Sequence, residues 1–306
     1  MNHDITVAMA TLTEHAREII NGSFKNVGRI FDLTDKKRNA PEIAELAEAF
    51  GMMSVKVEAR EYALEQTIEE LREKKAHLDD LNRIRTQLAS IFINVVLLIT
   101  FYTFILGFLN SAFMSGHPFV QGIREYISRG IEIVTLVIVI RMIINSRLPL
   151  KNFGITIEGW KKSSLESLVV SGVVIALLAL IKILVNTSHP GIFQEAQLIS
   201  PGYFDISYIG YLIVAPLQEF ITRGTVQSTL ERLFVGRNSG FLAIVVTSFL
   251  FGSLHVYSSI NLAIAALLTS WLWGWMYNRQ KTLLGVSLSH FLIGNMAGLM
   301  GYWTFF

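Results

Sequence analysis

The chain has 306 residues, of which 52% are hydrophobic and only 16% charged. With a mean hydropathy of +0.46, it lies well below the roughly 25% charged residues of an ordinary soluble domain. There is no cysteine, which excludes disulfides, thiol nucleophiles and Cys-ligated zinc; no glycine-rich phosphate loop and no basic stripe marks a nucleotide or nucleic-acid binder.

The net charge of +2 conceals a division of the chain. Residues 1–87 hold 13 Lys/Arg and 16 Asp/Glu, whereas residues 88–306 hold 13 and 8. A polar, slightly acidic segment therefore precedes an apolar, basic one, and two domains are expected, the first outside the membrane and the second within it. Asp4, Glu14 and Glu18 punctuate the N-terminal residues, so no cleavable signal peptide is expected.

TLTEHAREIING (11–22) reads as a short amphipathic helix ended by Gly22, followed by a connector carrying Val27 and Ile30. Pro41 and Glu42 form a start signal for the next helix. From there one heptad phase is apolar throughout (Ile43, Phe50, Val57, Leu64, Leu71, Leu78), while its companion phase (Leu46, Met53, Arg60, Thr67, Lys74, Leu81) is polar in the middle. That pattern predicts a coiled-coil seam running to Gln87 and a partner helix to cover it, hence a homodimer. Residues 9–60, with Glu42 and the Ile43/Leu46/Phe50/Met53 pattern, resemble a HAMP domain, the parallel four-helix dimer module of bacterial receptors. The bland alternative is a plain dimerising stalk.

Beyond Leu88 the charges thin out: residues 88–123, 238–278 and 282–306 contain no Asp, Glu, Lys or Arg. With about 20 apolar residues needed per crossing, spans are expected near 88–110, 128–146, 164–186, 206–231, 239–257, 260–277 and 283–304, with a bend near Tyr257–Ser259. The fold class is accordingly all-α: a polytopic membrane protein of about seven transmembrane helices behind an N-terminal helical domain. Two spans would occupy 88–144 and the remaining membrane core 145–306. Arg and Lys gather in 141–163, 232–237 and 279–281 and are absent from 187–203 and 257–260. The positive-inside rule then places the N-terminal domain in the cytoplasm, in a multi-pass protein of the inner (plasma) membrane. Glu132, Arg141 and Lys182 fall near expected helix ends, where long side chains snorkel to water.

One stretch resists that explanation. ISYIGYLIVAPLQEFITRGTVQSTL (206–230) carries Gln218, Glu219 and Arg223 inside an apolar run. Glu219 and Arg223 are four residues apart, on one helical face, and can pair; an unpaired charge there would cost at least ~2.5 kcal/mol. Two later spans add His255, at the end of FLFGSLH, and His290 with Asn295, in GVSLSHFLIGN. An ion pair, two imidazoles and an amide on three apolar helices predict a shared polar site rather than isolated hydrogen bonds.

PLQEFITRG, FGSLH and SHFLIGN in that order resemble the CAAX protease and bacteriocin-processing family (Abi, type II CAAX prenyl endopeptidase-like), whose motifs are EExxxR, FxxxH and HxxxN. The resemblance covers roughly 145–300, including LPLKNFGITIEGW. It implies that the first motif Glu, with the histidine matching His255, activates a water. It also implies that the second Glu, matching Glu219, is oriented by Arg223, and that His290 and, loosely, Asn295 polarise the scissile carbonyl. A desolvated carboxylate suits a base near neutral pH, and donors in a dry site suit an oxyanion. The chain departs from the pattern twice. Gln218 stands at the first Glu, and an amide orients a water without deprotonating it. Asn295 stands at i+5 from His290, with Gly294 at i+4, so only a π-bulge would return it to the histidine's face.

Two functional classes follow. One is an intramembrane endopeptidase acting on membrane-associated proteins or peptides, with Glu219, His255, His290, Arg223, Gln218 and Asn295 as its site. The other is a non-catalytic membrane scaffold coupled to the HAMP-like dimer. A third reading is that Gln218 stands where the natural protein has a glutamate. A zinc site from Glu219, His255 and His290 is the metal alternative, without HExxH support; otherwise no cofactor is expected, and the partners are lipid, a membrane-associated peptide and a second copy.

Overall fold

The computed structural model describes residues 2–24, 27–109, 118–256 and 258–305, and among them every regular element is helical. Two compact units divide the chain, Met1–Asn82 and Arg83–Phe306.

In the first unit, helix α1 (Asn2–Ile20) is followed by α2 (Val27–Asp32) and by the start of α3 (Pro41–Leu109). Gly22, at φ 72°, ends α1 as expected, its N–H bonding the Ile19 carbonyl. Leu12, Ile30 and Ala47 share a small core; three residues further along α1, His15 meets Ser54 (3.4 Å) and lies edge-on to Phe50. Contacts advancing together along both helices mean that α1 and the start of α3 run parallel, with Ile30 wedged between them at 0% exposure. From Glu58 to Arg83 every residue of α3 is exposed.

In the second unit α3 is followed by α4 (Pro118–Ser146), α5 (Trp160–Ser188) and α6 (Ile206–Glu219). A π-helical segment, Phe220–Gln227, joins α6 to α7 (Ser228–Leu233), and α8 (Ser239–Ser253), α9 (Ile260–Gln280) and α10 (Leu283–Leu299) complete the unit. The helix carrying Glu219 thus changes its winding where one uninterrupted span was expected. Pro216 lacks an N–H one turn upstream. The Thr225 and Ser228 hydroxyls donate to the Phe220 and Arg223 carbonyls five residues back, each at 3.0 Å, satisfying carbonyls that the wider winding leaves over.

Among the described residues, three helices, Pro41–Leu109, Trp160–Ser188 and Ile260–Gln280, are long and apolar enough to cross a membrane. α8 and α10, at 15 and 17 residues, are apolar but shorter than the ~20 residues of a full crossing. α4 begins ten residues before the expected boundary, with Pro118 in its first turn. The bend residue Tyr257 lies outside the described residues.

Lys182 corrects an expectation. Instead of snorkelling to water it is 1% exposed and donates to the Gln197 carbonyl at 2.6 Å, with its Nζ 5.1 Å from the Phe193 ring centre. The segment after α5 folds back over it and supplies the polar partner that water would otherwise provide.

Two apolar clusters flank the functional region. One joins Ile91, Val95, Val139, Ile143 and Phe153 to Phe220 and Val226; the other joins Phe251, Trp273, Tyr277 and Val286 to Ile293. Phe153 belongs to the loop before α5, and its carbonyl passes so close to Gly224 that an added Cβ would lie 2.8 Å away. The π-helical segment is therefore packed into the first cluster through Phe220 and Val226, with the Phe153 carbonyl against Gly224.

Candidate functional site

The end of α6 and the π-helical segment place Glu219 and Arg223 inside the helical bundle, both 0% exposed. Arg223 Nε donates to Glu219 Oε2 at 3.2 Å, Nη2 to Ser270 Oγ at 2.6 Å and Nη1 to Gln227 Oε1 at 3.3 Å. Gln227 Nε2 in turn donates to the Gly274 carbonyl at 2.9 Å. Gly274 has to be small: a Cβ there would lie 3.0 Å from Ile244 and 3.3 Å from Arg223 Nη1. α9 thus supplies a hydroxyl, a carbonyl and an empty space, all shaped to the guanidinium.

The other carboxylate oxygen faces α10. His290 Nδ1 lies 2.8 Å from Glu219 Oε1, and His290 Nε2 lies 2.8 Å from the Tyr211 hydroxyl. An ionised carboxylate only accepts, so the hydrogen bond to Glu219 requires a proton on Nδ1, and Nε2 shares a hydrogen bond with the Tyr211 hydroxyl. Trp273 stacks on the imidazole with ring centres 3.9 Å apart and planes inclined by 22°. Its indole N–H donates to Ser289 Oγ at 3.2 Å, and the Ser171 hydroxyl of α5 donates to the same oxygen at 2.9 Å. One connected network, running from Tyr211 through His290, Glu219, Arg223 and Gln227 to Gly274, joins α6, the π-helical segment, α9 and α10. Buried networks of this kind are stable when each member has its partners, and both oxygens of Glu219 have theirs.

Glu219, Arg223 and His290 are joined by direct hydrogen bonds, the first two at the four-residue spacing the sequence offered; the other three candidates do not bond to this network among the described residues. His255 falls in the turn just beyond α8, half-buried, its Nδ1 2.8 Å from the Phe251 carbonyl. The Phe251 ring contacts both imidazoles, its centre 4.8 Å from that of His255 and 6.2 Å from that of His290. Gln218 is half-buried; its carbonyl accepts from Thr222 at 2.7 Å, and among the described residues its amide does not join the network.

Asn295 departs from its assigned position. α10 is a regular α-helix through 290–295, without the π-bulge that would rotate the amide toward His290; the π-helical turn is in 220–227 instead. Asn295 Nδ2 donates to the Tyr208 carbonyl at 3.2 Å, one turn of α6 away from Tyr211. The space beside His290 is filled from the neighbouring helix: a Cβ on Gly294 would lie 2.6 Å from Tyr211 Cε1. A glycine where the resemblance implies Asn admits a tyrosine whose hydroxyl then meets the histidine.

Tyr211, Gln227, Ser270, Trp273 and Gly274 were not singled out in the sequence. Gln227 carried a usable signal, standing four residues after Arg223 on the same face. Tyr211 and Trp273 read as ordinary aromatics of apolar helices, and Ser270 as a small packing residue. Among the described residues no three His, Asp or Glu side chains are gathered as metal ligands. Glu219 has one oxygen on Arg223 and the other at His290.

No curated protein and no solved structure matches the chain. A match does come from a family model, over a stretch that begins just ahead of α6, contains the whole network except Ser171 and ends one residue past Asn295: residues 201–296 of this all-α membrane protein match the family described as type II CAAX prenyl endopeptidase Rce1-like.

Proposed function

We propose that the chain is a membrane-embedded protein of the CAAX-endopeptidase type. Its polar site engages a peptide segment of a membrane-associated protein, and Gln218 holds peptide-bond hydrolysis far below what a glutamate there would support. The observation that carries this reading is the state of Glu219: fully buried, with one oxygen on Arg223 and the other at His290. A carboxylate so buried, with each oxygen already on a donor, orients its neighbours and is poorly placed to take a proton from water. The residue ahead of it is an amide, which has no proton-accepting oxygen of carboxylate basicity. The matched segment supports the protease type; the network supports a carboxylate that holds the site together rather than one that takes a proton.

In this reading Arg223 and Gln227 clamp Glu219, Glu219 fixes the tautomer and orientation of His290, and Tyr211 occupies the outer nitrogen. His255 is the remaining imidazole, placed to face a peptide from the turn after α8. The N-terminal unit lies on the cytoplasmic side of the cell membrane, as the distribution of basic residues implies.

The test is hydrolysis of a quenched fluorescent peptide carrying a membrane anchor, by the full chain in liposomes. General-base catalysis contributes about 10²–10⁴-fold, so Gln218→Glu is expected to raise the rate by that order over a slow or silent parent. A parent that already cleaves as fast as Gln218→Glu, and loses activity in a folded Glu219→Ala variant, makes Glu219 the base and overturns the reading.

A further inference from the structure

The longest uncovered surface of the described chain is the middle of α3. Ala44, Ala47 and Ser54 are buried at 0% exposure in the first unit, but from Glu58 to Arg83 every residue of the helix is exposed. Leu64, Leu71 and Leu78 stand 61%, 60% and 57% exposed, and Ile68 41%. A solvated helix of this kind is marginal by itself, and its apolar residues recur at the spacing of a two-helix seam.

We infer that residues 60–82 form a parallel, in-register, two-stranded coiled coil with a second copy of this chain. Its d positions are Leu64, Leu71 and Leu78; its a positions are Glu61, Ile68, Lys75 and Asn82. Leucine at d with a β-branched residue at a favours two strands, and Lys or Asn at a fixes register and oligomer state at a cost in stability. This assignment shifts the companion positions one residue from those expected (Thr67 and Lys74): Leu64 and Leu71 keep their place, and Ile68 enters the seam where Thr67 would have stood.

The flanking charges choose both the occupant and its direction. In a parallel pair each g residue faces the e residue five positions later in the partner. Arg60 then meets Glu65 of the other copy and Lys74 meets Asp79, two attractive pairs on each side, while Thr67 opposite Arg72 is neutral. An antiparallel pair would instead set g against g and e against e: Arg60 and Lys74 among themselves, Glu65 and Asp79 among themselves. The chain direction agrees, because α3 continues into the uncharged run after Leu88, and two copies in one bilayer enter it with the same polarity. The seam is thin in apolar residues, with only Ile68 at a, so confinement of both copies to one membrane supplies much of the effective concentration that holds it together. Nothing in this inference rests on the proposed function of the buried site.

The absence of cysteine makes the test direct. Single variants Leu64→Cys, Thr67→Cys, Ile68→Cys, Leu71→Cys, Glu73→Cys and Leu78→Cys are made in the full chain and oxidised mildly in native membranes, and covalent dimer is read on a non-reducing gel. Same-residue disulfides are expected at 64, 68, 71 and 78, forming at least tenfold faster than at 67 and 73. A maximum at 67 instead of 68, equal rates at all six positions, or monomer throughout would each overturn the proposal. Because the two leucines at 64 and 78 lie far apart along the helix, an antiparallel pair would cross-link at neither and would also overturn it. A charge swap gives an independent reading: Lys74→Glu is expected to slow cross-linking at 71 several-fold, and Lys74→Glu with Asp79→Lys to restore it. Failure of that restoration counts against the g–e pairing.

Discussion

Tyr211 occupies the space that a side chain at position 294 would require, with its ring carbon 2.6 Å from where a Cβ on Gly294 would stand and its hydroxyl 2.8 Å from His290. The two positions are complementary: the missing side chain on α10 is the condition for the phenol on α6. Gly294→Ala should therefore push the ring away from His290 and destabilise the full chain by about 1–3 kcal/mol, the usual cost of overpacking. Adding Tyr211→Leu should return part of that loss, measured as denaturant midpoints in detergent. Strict additivity of the two substitutions would show that the ring and the glycine do not meet.

Removing one partner of the buried ion pair should cost far more than removing both. Glu219→Gln or Arg223→Met leaves an uncompensated charge and is expected to destabilise by ~3–5 kcal/mol, whereas Glu219→Leu combined with Arg223→Met should be markedly less destabilised than either. Arg223→Lys is not a conservative change, because a single ammonium cannot reach Glu219, Gln227 and Ser270 in the planar geometry that the guanidinium satisfies. Thermal unfolding of the four variants in one detergent checks the order.

Lys182 ties the end of α5 to the segment that follows it. Lys182→Met keeps the length and removes the hydrogen bond to Gln197, a charged donor worth roughly 1.5–3 kcal/mol. The expected result is faster limited proteolysis between residues 189 and 200 with the rest of the chain intact. Unchanged cleavage would mean that the Phe193–Tyr302 ring contact and the Asn186 hydrogen bond to the Ala196 carbonyl hold the segment without the lysine.

Asp205 caps α6, accepting from the Ser207 N–H at 2.6 Å. The hydrogen bonds from Ser207 hold its carboxyl below the ordinary carboxylate range. A depressed acid contributes its stability above its unfolded-state value and loses it as pH falls through the lower folded value. The cap's contribution should thus persist at neutral pH, fade only in acid, and be absent at every pH in Asp205→Ala, as read from parallel pH titrations of the unfolding midpoint.

Much of this was legible because charge is rare in an apolar helix. Glu219 and Arg223 at i, i+4 announce a pair, and the pair forms at 3.2 Å even though the backbone beneath it is π-helical. His290 was legible for the same reason. Tyr211 was not, because an aromatic in an apolar run is the ordinary case, and its partner is 79 residues away. The π-helical winding was hidden as well: it depends on Phe153 closing over Gly224 and on hydroxyls reaching back five residues, which are tertiary facts. Asn295 misled because the spacing to His290 was measured along one helix, while the amide's actual partner is the Tyr208 carbonyl on another.

The central claim is that Glu219 and His290, 71 residues apart in the chain, are directly coupled in the folded protein at 2.8 Å. A double-mutant cycle with Glu219→Ala, His290→Ala and the pair together, measured by reversible denaturant unfolding of the full chain in micelles, tests it most directly. The predicted result is a coupling energy toward the upper part of the ~0.5–3 kcal/mol range seen for residues in contact. Losses that simply add would contradict it.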